Sequence, residues 1–165
     1  MRYLALEKAE REELLARLGE MPGFLDAAFG ALPAGDGVVR ASDGTFAPVE
    51  QCWHLADLER EGFLARIRRL LHEDDPELPD FDGARVAEER RYLALSLADG
   101  LGAFRAARAE TLSLLRSIRG ETWNRAGSQE GVGRVALCDL PAMIGEHDAS
   151  HRREIEAWVR ERRGR

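Results

Sequence analysis

The chain has 165 residues, of which 44% are hydrophobic and 33% charged, with a formal net charge of −6 and a pI near 5.3. That length suits one compact domain spanning residues 1–165, and the composition lies well away from the disordered class. The acidic balance argues against nucleic acid as a direct partner, and no apolar run approaches the roughly 20 residues needed to cross a bilayer.

The opening stretch "MRYLALEKAEREELL" meets charges too soon for a signal peptide, so the expected setting is the cytoplasm, with no membrane partner. Cys52 and Cys138 are too few for a disulfide framework and read as buried packing residues.

The helical period dominates and no run of strand-type alternation stands out, which predicts an all-α fold of four helical segments. The first runs from about Leu4 to Phe29, where Met21-Pro22-Gly23 is expected to kink the helix or divide it. "ALPAGDGVVRASDGTFA" then reads as loop. The second segment starts at Pro48, acceptable in a first helical turn because its missing N–H would be unpaired there anyway, and ends near Leu71.

Its apolar stripe is Val49, Cys52, Trp53, Ala56, Phe63, Ile67 and Leu70. His54 stands more than about a third of a turn from that stripe, next to Leu58, so periodicity leaves its burial undecided. "HEDDPELPDFDG" is an acidic, proline-broken linker without the ligand spacing of an EF-hand, expected to be solvated, with His72 on the surface at its edge.

The third segment, from about Val86 to Ile118, carries Leu93, Leu97, Leu101, Phe104, Thr111, Leu115 and Ile118 at three- and four-residue steps. Gly100 and Gly102 are expected to weaken it by about 1 kcal/mol each relative to alanine. "RGETWNRAGSQEGVGRV" is a glycine-rich loop whose Gly131-Val132-Gly133 lacks the preceding strand and the lysine of a phosphate loop. The fourth segment runs from Asp139, as N-cap, to about Arg162, with Pro141 in its first turn. Four such helices would each bury one face in a bundle, and the long connections between them are of the kind that cover or shape a site.

Leu137, Leu140, Ile144, His147, His151, Ile155 and Trp158 form one stripe of the last helix, so two histidines occupy core positions. Positions four apart lie about 40° apart around a helix and about 6 Å apart along it, close enough for two imidazoles to share one ion. A metal would satisfy two nitrogens that burial otherwise strands; the competing reading is two interior histidines hydrogen-bonded to each other through water or to carboxylates such as Asp57. The zinc-protease pattern H-E-x-x-H is not met, because Asp148 follows His147. Third-ligand candidates are His54, His72, Cys52 and nearby carboxylates.

"PVEQCWHLADLE" and "MIGEHDASHRREIEAW" resemble the second-helix and last-helix motifs of the DinB-like superfamily, which includes YfiT-type proteins and thiol-dependent transferases. The resemblance spans the chain in segment order and implies a four-helix bundle in which a divalent ion, nickel or zinc, is held by His54, His147 and His151. It further implies a small-molecule substrate and an ion that acts as a Lewis acid on bound water or on a low-molecular-weight thiol of the bacillithiol or mycothiol type, for S-transfer or isomerisation. A nucleophile supplied by a thiol cofactor fits the lack of any Ser-His-Asp or Cys-His pattern.

Glu50 and Asp57, one turn either side of His54, are candidates to orient that ring, although an exposed face is the preferred expectation for Glu50 and also for Glu146 and Asp148. Trp53, Trp123 and Trp158 line either a pocket or the core. The alternatives that stay open are a non-catalytic metal- or ligand-binding stress-response bundle and a metal-assisted hydrolase. Apolar surface left on the first and third segments, with the resemblance, suggests a homodimer.

Overall fold

A computed structural model describes residues 6–164. Four helical rods are built from α1 (Lys8–Phe29), α2 (Pro48–Asp57) running through a π-helical segment (Leu58–Leu64) into α3 (Ala65–His72), α5 (Leu97–Ser117) and α6 (Leu140–Arg163). A short α4 (Gly83–Glu89) lies between the second and third rods in sequence and packs on α2. α5 packs along both α1 and α2, and α6 lies along α1. The expected four-helix architecture is present; the expected start at Leu4 lies outside the described residues.

Pro22 does not divide α1, which continues through it. A proline cannot donate to the carbonyl four residues back, so Leu18 loses its intrahelical partner. Arg108 of α5 supplies the substitute, with Nη1 donating to the Leu18 carbonyl at 2.8 Å.

The third segment, by contrast, is broken. α4 stops at Glu89, Arg91 takes a left-handed conformation (φ 53°, ψ 53°), and a 3-10 turn over Tyr92–Ala94 precedes Ser96, whose hydroxyl caps α5 by accepting the Asp99 N–H at 3.1 Å. Leu93 therefore leaves the predicted stripe and is 42% exposed. Gly100 is more than a weak point in a helix. A Cβ there would lie 3.0 Å from the Trp53 ring and 3.1 Å from Cys52 Cβ, so its absence lets α5 and α2 approach closely.

Three short strands were not foreseen: β1 (Glu77–Leu78) runs parallel to β2 (Ala126–Gln129), which pairs antiparallel with β3 (Gly133–Ala136). Strands of two to four residues are too short for alternation to register against helical noise. Gly131 and Gly133, with φ of 73° and 96°, shape the hairpin between β2 and β3, so the G-x-G is a turn. The acidic linker is not wholly solvated either, since Leu78 is buried on this sheet.

The apolar core comes in two main clusters. One gathers Leu15, Leu18, Phe63, Leu115 and Ile144, the other Met21, Leu25, Ala56, Phe104 and Ile155. Between them in sequence on α2–π, α5 and α6 lie buried polar residues: Glu59, Arg108 and Asp148, with His54 and His151 also buried. Arg108 spends its five N–H donors on five hydrogen bonds of 2.6–3.1 Å, two to Glu59, two to Asp148 and one to Leu18. Asp148 is thus 5% exposed, not on the solvent face where the sequence placed it, because the helix buries a wider arc than its apolar stripe.

Replacing Arg108 by methionine would leave two carboxylates buried without their cation. The expected cost is about 3–5 kcal/mol of unfolding free energy, read as a lower urea midpoint.

Candidate metal centre

His147 and His151 project from one side of α6, one turn apart, with their Nε2 atoms 3.0 Å from each other. His54 reaches them from α2, its ring centroid 4.9 Å from that of His151 and 5.6 Å from that of His147. One ring nitrogen from each can be chosen so that all three lie within 4.8 Å of one another. The structure therefore brings together the three histidines named from sequence.

His54 is buried even though it leaves the apolar stripe of its helix, because α2 is covered on nearly every side. The rings of Phe46 and Phe81 approach it at 5.7 and 6.0 Å between centroids, and the first residue of α4 closes on its edge. The other sequence candidates lie elsewhere. His72 is exposed as expected. Cys52 is fully buried among apolar side chains, where desolvation holds its thiol protonated by pushing the pKa up.

The carboxylates proposed to orient His54 have other roles. Asp57 accepts the Tyr92 hydroxyl and an Arg90 N–H, both at 2.6 Å, and pairs with Arg60. Glu50 is 2% exposed instead of solvated: it pairs with Arg40 and accepts the Ala47 N–H at 2.9 Å at the start of α2. Glu146 is exposed, as expected. Trp123 and Trp158 are core residues, while the indole N–H groups of Trp53 and Trp158 hold the Ser96 and Val39 carbonyls at 2.9 and 2.8 Å.

The residues that do orient a histidine are Gln51 and Glu154, which the sequence reading missed. The Gln51 amide donates to Glu154 at 2.9 Å, which turns its oxygen toward His151 Nδ1 at 2.7 Å. Glu154 itself lies 3.1 Å from the same nitrogen. With two acceptors on Nδ1, the proton of His151 sits there and Nε2 keeps its lone pair, facing the other rings. The available signal was spacing: Gln51 and Glu154 each lie three residues from a histidine on the same helix.

Burial also sets protonation. Desolvation, reinforced by the neighbouring imidazoles, pushes the His54 pKa down to about 4 and that of His147 down to about 3. Glu154 is held at about 2, first by its hydrogen bond with His151. Three imidazoles that bring one ring nitrogen each within 4.8 Å of one another, two of them held neutral by burial, suit a borderline divalent cation.

The stability of the metal-free protein depends on pH through these two rings. The unfolded chain takes up protons on both histidines below about pH 6.5 while the folded one does not, so stability falls as pH drops from there toward 4 and then 3. Thermal melts across that range should show a declining Tm, with a shallower slope after His147→Phe.

Over 94% of its length the chain matches the structure of YfiT from Bacillus subtilis, covering 89% of that chain, with a TM-score of 0.85 at 18% sequence identity. YfiT is described as a probable metal-dependent hydrolase with an unusual four-helix bundle topology. No curated protein sequence matches. The family model of the DinB superfamily matches residues 8–155, and with that match the chain belongs to the DinB superfamily.

Proposed function

We propose that this chain is a metal-dependent enzyme acting on a small molecule, with His54, His147 and His151 as the ligands of one divalent ion, nickel or zinc. The observation that carries this reading is the convergence of three imidazole nitrogens within 4.8 Å, from two different helices, at a place where burial keeps His54 and His147 unprotonated. Bound there, the ion would supply Lewis acidity, lowering the pKa of a nearby thiol or water.

The protein's own groups prepare the site. Gln51 and Glu154 hold the His151 proton on Nδ1, and the apolar rings of Phe46, Phe63 and Phe81 pack against the histidines. Arg108, bonded to Glu59 and Asp148, lies close enough to His147 to help keep that ring unprotonated. Cys52 supplies no thiolate, and in this reading the nucleophile comes from outside the chain. A low-molecular-weight thiol of the bacillithiol or mycothiol type is the first assignment, which makes the reaction an S-transfer. Hydrolysis, with water in that role, is the second reading and is favoured by the likeness to YfiT.

Calorimetric titration with nickel or zinc should give about one ion per chain, and His147→Ala should abolish it. Wild-type protein that takes up neither metal would sink the proposal. Metal-dependent loss of added thiol in the presence of an electrophile supports the transferase, turnover without thiol supports the hydrolase, and full occupancy without either makes the chain a metal-binding bundle.

A further inference from the structure

The rings of His151 and His54 are held by different means. His151 has the common arrangement, in which an acceptor behind the ring takes the second N–H and fixes both rotation and tautomer. His54 has no such acceptor among the described residues, and its Nδ1 is buried without a partner. The start of α4 occupies the place of one. A Cβ at Gly83 would lie 2.4 Å from His54 Cε1, 2.6 Å from Nδ1 and 3.6 Å from Nε2, so only glycine leaves room for the ring where it stands.

α4 is in turn tied to the helix that carries His54. Val86 and Ala87 bury their side chains in a small cluster with Tyr92. Just past the end of α4, Arg90 Nη1 donates at 2.6 Å to Asp57 Oδ2, the same oxygen that receives the Tyr92 hydroxyl. Arg90 also makes two bonds to Glu61, at 2.7 and 2.9 Å. Asp57 is three residues from His54, so one turn of helix bears both the ring and the anchor of the element that presses on it.

We propose that Gly83 is a positioning residue for the metal centre: braced by the Asp57 clamp, the first turn of α4 sets the His54 ring by steric contact, where a hydrogen bond would ordinarily do so. This rests on the reading of the three histidines as ligands. Adding a methyl group at position 83 forces the ring from where it stands, whereas alanine is otherwise favoured over glycine in a helix.

The test compares wild type, Gly83→Ala and Gly102→Ala, by calorimetric titration with nickel alone and by thermal melting of the metal-free proteins. Gly102, with open space where its Cβ would go, controls for loss of a helical glycine. Gly83→Ala should bind nickel at least about tenfold more weakly, with metal-free Tm equal to or above that of wild type, and Gly102→Ala should bind as wild type does. Equal nickel affinity in Gly83→Ala and wild type overturns the proposal and leaves the three-histidine reading standing. A metal-free Gly83→Ala whose Tm falls by more than about 5 °C makes Gly83 a packing residue and also overturns it. Wild type without nickel binding removes both readings together.

Discussion

A guanidinium buried at the centre of a bundle constrains everything around it. Arg108 must find a partner for each N–H because an unpaired charge in low dielectric costs far more than a misplaced methyl. Its partners come from the three other rods: Leu18 on α1, Glu59 on the π-helical segment and Asp148 on α6. Apolar side chains tolerate small slides and rotations, but a planar fork with five directed bonds does not. The rods are therefore locked in register and in rotation, and the rotation of α6 that brings Asp148 to Arg108 also turns its neighbour His147 and, one turn on, His151 toward α2.

The same network explains two local departures from ideal helix. Pro22 is tolerated in the middle of α1 because the carbonyl it strands is taken by Arg108. The π-helical stretch begins at Leu58, immediately before Glu59, where a widened turn carries a carboxylate that is 1% exposed and bonded to the same guanidinium. Such segments recur at functional sites. A second network, centred on Asp57, holds α4 against α2 and so closes the far side of the histidine cluster. Polar order thus surrounds the candidate centre on both sides, and between these networks burial keeps His54 and His147 neutral.

The helices and the histidines are legible in the chain by different routes. The stripe from Leu137 to Trp158 is a single-helix property, and it placed His147 and His151 in the interior directly. His54 could not be reached that way. It lies off the stripe of α2, and its place beside the other two came from the family motif around "HLAD", not from period. Asp148 and Glu50 were assigned to solvent because carboxylates off an apolar stripe usually are solvated; each is buried through a bond to an arginine far along the chain or on another element.

Legible along the chain is what depends on neighbours in one helix: the all-α class, the order of the main helices, the one-turn spacing of His147 and His151, and the family motifs. Which faces meet is set by the packed fold. It gave Arg108 its three partners, gave His151 the Gln51–Glu154 pair, set Gly83 against His54 and broke the third segment at Arg91. The physical reason is that periodicity describes one element against an unspecified apolar surrounding, whereas hydrogen bonds and close steric contacts belong to pairs of elements and exist only once their relative rotation is fixed.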